Sequence, residues 1–464
     1  MAPETLVREF ESSRGRIDGS TATFGAPFYG ERILGRLVYG PSRGQQHCTA
    51  EDYLVPKPEE YAVKDYSQVK LINIVLVERG TCSFVTKVKV AKEKEAHAVI
   101  IVDKVDSQLT PEQIREIIMA DDGYGRDIDI PSVLISRSEG QKLIDAAKRG
   151  VAGSVVVELQ WDVPTGHTVV IDMWMGSASQ ANFKFIKEFK PKREKLWKYI
   201  KFVPHYAVFS MEAGQDYHEL CSDVTGKYCA EDPDGGGGEA GSSFTGKLVL
   251  AEDVRQLCIH ELTAQVTETA RESLAKLPLA PVPAFSGKWW HYTSIMLDEC
   301  PLDATKSEEH KFGKACSERV MKKVGGIDVA AVERCMAQTE ELKLKEQLGS
   351  VAWSPSALRI NGWRYDGTMD ADLVIRAVCA GFIETPPECT QLVTPRDPFK
   401  GFKAQPAGVS FGTMATSFLV MAVVCFGAMF LYKRSLSKSV HSALREEVML
   451  EVQSQMAQYK QLES

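Results

Sequence analysis

The stretch Leu71–Val102 reads LINIVLVERGTCSFVTKVKVAKEKEAHAVIIV, and it decides the fold of the N-terminal part of the chain. Leu71–Glu78 is rich in branched aliphatic residues and predicts a strand. Phe84–Ala96 predicts a helix, with Val85, Val88 and Ala91 on one face and Lys87, Lys89, Lys92 and Lys94 on a largely solvated one. Ala98–Val102 is apolar throughout and predicts a buried strand. Strands alternating with helices place the chain in the α/β (α+β) class.

The pattern continues on both sides. Arg32–Tyr39, Ser132–Ile135 and Gly153–Trp161 predict strands, and Ser138–Arg149 a helix. Asp103–Asp129 is a long acidic loop with a short helix near Pro111–Ala120. These elements make a first module, residues 4–163. A second spans residues 164–389. In it Thr168–Met175 and Val203–Tyr206 predict strands, and Ala181–Phe189 and Pro191–Lys201 two helices. Phe183, Phe185, Ile186 and Phe189 supply the apolar contacts of the first of these, and Pro191 fits the first turn of the second. Trp353–Gly367 predicts a strand, an Asn361-Gly362 hairpin turn and a second strand, followed by a helix over Asp370–Cys379. Between them lies a helical insertion, about residues 211–347. Asp234–Ser243 (DGGGGEAGSS) is a loop without the Lys and Ser/Thr of a phosphate cradle.

Val409–Tyr432 (VSFGTMATSFLVMAVVCFGAMFLY) carries no charge. A bilayer core of ~30 Å needs roughly 20 apolar residues in a helix, so this run predicts a single transmembrane helix. Residues 390–408 read as a Pro/Gly-bearing stalk before it, and residues 433–464 as a tail. Lys433, Arg434 and Lys438 beside the span favour a cytosolic tail. Of 11 cysteines, Cys425 lies in the span and the rest precede it, an even number that points to an oxidising lumen. A lumenal N-terminus requires a signal peptide, and Met1–Glu11 has no apolar core of one, so a signal peptide is expected to be missing from this sequence. The net charge of −7 argues against a nucleic-acid partner. Asn73, Asn182 and Asn361 lie in no glycosylation sequon.

Three motifs carry a resemblance: Phe24-Gly25-Ala26-Pro27-x-Tyr29-Gly30; Glu78-Arg79-Gly80-Thr81-Cys82-Ser83-Phe84; and Ile130-Pro131-Ser132-x-Leu134-Ile135-Ser136-Arg137-Ser138. The first module resembles the protease-associated domain of plant and algal vacuolar sorting receptors. The resemblance implies a β-sandwich-like domain that binds peptide signals of cargo. It implies Arg79, Gly80, Thr81, Ser83 and Phe84 as cargo contacts, with part of Ala120–Ile128 as a second loop. The family usually has Asp where Thr81 stands. Physically, Gly80 permits a tight turn and close backbone approach, and Arg79 offers a forked donor. The same residues also fit a plain strand-to-helix turn in which Cys82 is a staple. Cys48 and Cys82 are alone in this module and are expected to pair.

The second module resembles a thioredoxin fold, with Pro355 at the cis-proline position. The insertion carries further sorting-receptor hallmarks: Cys221 and Cys229, Gln256-x-Cys258, Trp289-Trp290-x-Tyr292, Cys300-Pro301, Cys316 and Cys335. Spacing suggests Cys221–Cys229, Cys258–Cys300, Cys316–Cys335 and Cys379–Cys389 among many possible connectivities. The EGF-like repeats that the family places after this module are missing. Gly176-Ser177-Ala178-Ser179 stands where a redox C-x-x-C belongs, and serine supplies no thiolate, so no oxidoreductase is expected. His260-Glu261 begins like a zinc-protease helix, but the second His is absent. Neither a cofactor, a metal site nor an enzyme is expected.

Tyr459-x-x-Leu462 in the tail fits a Y-x-x-Φ sorting signal, in which Tyr and Leu fill two adaptor pockets. The resulting expectation is a single-pass type I membrane receptor of Golgi, trans-Golgi network and prevacuolar or endosomal membranes. It would bind soluble vacuolar or lysosomal hydrolases in the lumen and recruit a clathrin adaptor or other coat subunit. The alternative is a membrane anchor for a secreted or cell-surface assembly, with no sorting role.

Overall fold

The computed structural model describes residues 4–10, 13–56, 71–150, 154–211, 219–233, 244–265 and 284–402, together with Met421, residues 425–427, Met429 and Tyr432. Met1–Phe402 is one compact unit and Lys403–Ser464 a second. In the second, the six described residues are helical and exposed. The rest of the expected span, and all of the tail, lie outside the described residues. Among the described residues no helix is long and apolar enough to cross a membrane.

The N-terminal part is built on one six-stranded sheet. Its strands are β1 Ser20–Thr21, β2 Arg32–Tyr39, β3 Ile72–Glu78, β4 Ala98–Val102, β5 Ser132–Ile135 and β6 Val156–Gln160, in the order β1-β5-β4-β3-β2-β6. The four central strands are parallel, and the two outer ones antiparallel to their neighbours. Helix α1 (Glu4–Arg8) precedes the sheet and buries Leu6. Helix α2 (Phe84–Glu93) links β3 to β4, α3 (Pro111–Glu116) links β4 to β5, and α4 (Arg137–Arg149) follows β5. Helices cover both faces, so the domain is a layered α/β unit and not the β-sandwich-like one expected. The reason is legible in β4. All five of its residues are buried, so both faces need cover, which parallel crossovers through helices supply. Val75, Val77, Val99 and Ile101 pack with Val85, Val88 and Ala91 of α2 on one face, while Ile74, Leu76 and Ile100 pack with Leu143 and Ile144 of α4 on the other.

The second part has a four-stranded sheet, ordered β10-β9-β7-β8. Its strands are β7 Val169–Met175, β8 Ile200–Tyr206, β9 Ala357–Ile360 and β10 Trp363–Arg364. β7 and β8 are parallel and joined through α5 (Gln180–Lys195); β9 and β10 form a hairpin turned at Asn361, φ 51°, and Gly362, φ 77°. This is the thioredoxin-like arrangement. Two separate helices were expected here, but α5 runs through Pro191. The buried Arg193 holds its last turn, donating to the Ile200 carbonyl at 2.8 Å. Ile200 and Lys201 belong to β8 instead.

The insertion contains α6 Gly246–Thr263, α7 Gly287–Glu299, α8 Lys314–Val324 and α9 Val329–Gly349. Its buried centre is Glu252. That carboxylate accepts from Arg255 at 2.6 Å, the Tyr292 hydroxyl at 2.8 Å, the Ser317 hydroxyl at 2.8 Å and the Gln256 amide at 3.1 Å. A buried charge is tolerated only when paired and hydrogen-bonded in this way. The hallmark residues Trp289, Trp290 and Tyr292 are therefore core. α10 (Ala371–Ala380) and α11 (Pro387–Leu392) close the unit.

Five disulfides are present: Cys48–Cys82, Cys221–Cys229, Cys258–Cys335, Cys300–Cys316 and Cys379–Cys389. Two of the spacing-based pairings are corrected. Cys258 of α6 pairs with Cys335 of α9, which packs beside it. Cys300 caps the end of α7 and pairs with Cys316 in the first turn of α8.

The two parts are joined by the residues after β10. Tyr29 stacks on Tyr365, centroids 5.4 Å apart, and its hydroxyl accepts from the Asp366 amide at 3.0 Å. Gly367 and Thr368 donate to the carbonyls of Ala22 (2.7 Å) and Gly25 (2.9 Å). Arg396 donates to the carbonyls of Ala26 and Pro27 with its guanidinium over Phe28, 3.9 Å from the ring centroid. The Phe24–Gly30 motif is thus a docking strap. Residues 390–402, expected to be stalk, are instead part of the compact unit: Phe402 donates to the Asp129 carbonyl and Phe399 packs on His97.

Candidate functional site

Parallel strands β2, β3 and β4 end at the same edge of the sheet. Three loops leave there: 40–56, 79–83 and 103–110. Ligands of open α/β sheets bind outside the carboxyl ends of the strands, and this edge also exposes Leu54 and Val105. It holds the Arg79–Phe84 turn.

The loop after β2 is built around buried Asp52. Its carboxylate accepts from the Ser42 hydroxyl and from the amides of Arg43, Gln45 and His47, at 2.6–2.9 Å. Burial opposes charge there, but these bonds outweigh it and lower the pKa to about 2. The anchored loop presents Gln46 to the turn, where its side-chain carbonyl accepts from the Thr81 amide at 2.8 Å.

Arg79 is not the free surface donor that a cargo contact implies. It is about one quarter exposed, with a side-chain relative exposure of 28%, and pairs at 3.1 Å with Asp103, which is 1% exposed. It also lies over Phe84, 5.2 Å from the ring centroid. Gly80 has no room for a Cβ because Gln46 Oε1 would lie 2.0 Å from it. Glycine there lets the Gln46 side chain close in on the turn. Ser83 caps α2, accepting from the Thr86 amide at 3.1 Å. Phe84 is half-buried. Thr81 alone of the five is exposed. Lys87, expected on the solvated face, is buried behind the turn, and burial lowers its ammonium to about 8. The sequence reading missed Gln46 and Asp103. Asp103 had a signal: a charge placed directly after a wholly apolar strand.

Ala120–Ile128 does not join this edge. The opposite end of α2 holds it: Lys92 donates to the Asp127 carbonyl at 3.0 Å and pairs with Asp129 at 2.7 Å. Nine residues of helix separate Ser83 from Lys92, about 13 Å at the usual rise. The loop adjacent to Arg79 is 103–110.

At the thioredoxin position, Ser177 is buried beneath α6. Its amide donates to Asp253 at 3.0 Å and its hydroxyl to the Val249 carbonyl at 3.3 Å. Ser179 caps α5. The insertion therefore lies over the place where a thiolate would meet a substrate. Asp253 is fully buried, which raises its pKa to about 8. His260 packs edge-on against Trp289, centroids 5.6 Å apart, and burial lowers its pKa to about 4. It is a packing residue.

The vacuolar sorting receptor thioredoxin-like domain matches residues 169–379, and the PA domain matches residues 33–143. The chain resembles vacuolar sorting receptors. It is 30% identical over 408 residues to vacuolar-sorting receptor 1 of Pisum sativum, covering 81% of this chain and 58% of that one. It is 29% identical over 405 residues to vacuolar-sorting receptor 3 of Arabidopsis thaliana, with the same coverages. Against receptor 2 of that plant it is 29% identical over 413 residues, covering 82% and 60%. The chain thus spans less than two thirds of the length of these relatives. All three of these relatives are named as vacuolar-sorting receptors.

Two outcomes follow. Arg79→Ala leaves the Asp103 carboxylate buried without its cation and should destabilise the fold by about 2–3 kcal/mol. Arg79→Ala/Asp103→Ala should recover much of this in urea unfolding; a single variant as stable as wild type would contradict the pairing. Asp253 binds its proton more tightly folded than unfolded. Its stability contribution is full below the ordinary 3.8 and is lost as pH rises towards about 8. Unfolding at pH 5 and pH 8 should show a decline that Asp253→Asn reduces, leaving the share of Asp366, whose buried carboxyl is raised to about 7; an equal decline in the variant would refute this origin.

Proposed function

We propose that this chain is a type I membrane sorting receptor that binds soluble vacuolar or lysosomal proteins in the Golgi lumen and recruits coat adaptors through Tyr459 and Leu462. The observation that carries the reading is the likeness to vacuolar-sorting receptors. It runs through both folded parts and reaches 30% identity over 408 residues. The geometry supports it in kind. The carboxyl edge of the first sheet presents a turn with Thr81 exposed, and the loops leaving the same edge carry the exposed apolar residues Leu54 and Val105. An extended peptide would lie across these loops, contacting Thr81 and the outer edge of Arg79. Gly80, Ser83 and Phe84 would shape the turn from below. Where the family has Asp, Thr81 leaves this contact neutral, so the preferred cargo would carry less positive charge. The domain limits that go with this reading are residues 4–163, 164–389, a span over 409–432 and a cytosolic tail over 433–464. The protein would reside in Golgi, trans-Golgi network and endosomal membranes.

The test uses the full-length tagged chain. Thr81→Arg should lower co-purified soluble cargo about ten-fold while leaving the protein in place. Tyr459→Ala and Leu462→Ala should move it to the cell surface or the lytic compartment, since each removes one of two apolar anchors from a weak contact. Identical distributions of wild type and both tail variants, with cargo unchanged by Thr81→Arg, would favour the anchoring alternative.

A further inference from the structure

The Cys48–Cys82 bridge differs from the other four in its surroundings. It is the one disulfide, among the described residues, in which neither cysteine is buried. Each of the others has at least one cysteine at or near zero exposure: Cys229, Cys258, Cys300, Cys316 and Cys389 are all 2% exposed or less. A cation also lies beside it and is fully buried, whereas Arg319, 3.4 Å from Cys316 Sγ in the Cys300–Cys316 bridge, is 29% exposed. Lys87, 0% exposed, reaches across from α2 and places Nζ 3.6 Å from Cys48 Sγ, while bonding to the Gln46 carbonyl. Among the described residues it has no carboxylate within ion-pair distance. Cys82 stands directly before Ser83, the cap of α2, so the positive end of that helix adjoins the second sulfur. A buried lysine is costly, and the other inward positions of α2, Val85, Val88 and Ala91, are apolar.

A cation beside a sulfur lowers the pKa of the thiol, and a lower leaving-group pKa speeds its expulsion. We propose that Cys48–Cys82 is a site of thiol–disulfide exchange, open to a dithiol reductant, with Lys87 stabilising the Cys48 thiolate as it leaves. One thiolate of the dithiol attacks Cys82 Sγ. A mixed disulfide forms there, the Cys48–Cys82 bond breaks and its electron pair leaves on Cys48, where Lys87 can supply a proton. The second thiolate of the dithiol then attacks the mixed disulfide at the reductant's sulfur and expels the Cys82 thiolate, which takes up a proton. The dithiol is oxidised to its cyclic or protein disulfide by two electrons, and the bridge is reduced to two thiols. The consequence lies at the turn. Reduction removes the covalent tie between the Gln45–Cys48 loop and Cys82, leaving hydrogen bonds to hold the two together: the Thr81 amide to Gln46, Lys87 to the Gln46 carbonyl and the Glu78 amide to the His47 ring. The redox state of one bridge thereby sets how firmly the carboxyl-edge loops are held. This inference does not rest on the sorting role.

The experiment exposes the full-length folded chain to dithiothreitol, quenches with a maleimide at intervals and maps labelled cysteines by peptide mass. Cys48 and Cys82 should label first, about ten-fold faster than any other pair. Lys87→Gln should slow their labelling about ten-fold without altering the other four bridges, and Lys87→Arg should restore it. Labelling of Cys48 and Cys82 together with the other pairs, or a Lys87→Gln variant that labels as fast as wild type, would overturn the proposal. If Lys87→Gln does not fold, the wild-type order and the Lys87→Arg rate decide it.

Discussion

The hydrogen bonds that Asp366, Gly367 and Thr368 make with Tyr29, Ala22 and Gly25 are the constraint on which the folded unit depends. They occur just after the β9–β10 hairpin, so the thioredoxin-like sheet delivers a backbone segment straight onto the first domain. Gly367 has φ 104°, and a Cβ there would lie 2.5 Å from Pro27. Only glycine meets both demands. Arg376, from α10, and Arg396, in the segment after α11, both reach Glu31, which draws that segment back to the start of β2. Domains joined by a plain linker move by default, whereas here shared backbone bonds and a stacked tyrosine pair make one body of residues up to Phe402.

That body has one edge open to a ligand and one closed. The carboxyl edge of the first sheet keeps its loops solvated and anchored from below by Asp52, Asp103 and Lys87. The corresponding edge of the thioredoxin-like sheet is sealed, because α6 lies over Ser177 and Asp253 takes the Ser177 amide. Loss of the thiols and gain of the covering helix agree with each other. A helix that occludes the site could not coexist with exchange chemistry there, and a serine pair needs no access.

Much of this was legible in the sequence. β2 and β5 fall on the predicted residues, and Val85, Val88 and Ala91 do face the core. These depend on local period and on short apolar runs, which survive any tertiary context. What failed depends on distant partners. Nothing in the spacing of Cys258, Cys300, Cys316 and Cys335 tells that α6 lies beside α9. Lys87 looks solvated in a run of alternating lysines, until Gln46 and Cys48 are brought over it. Pro191 reads as a helix start, but Arg193 and Ile200 hold the helix through it. The two expected cargo loops sit at opposite ends of α2, a separation that only strand direction reveals.

The most direct test of the account is hydrogen exchange across the docking segment of the full-length chain. Peptides covering Ser20–Tyr29 and Trp363–Ala380 should open with one shared free energy. Gly367→Ala should lower protection in both together by about 1–3 kcal/mol, the cost of a side chain in that backbone conformation. If the variant loosens residues 363–368 alone and leaves Ser20–Tyr29 as protected as before, the two parts are not one body and the account fails.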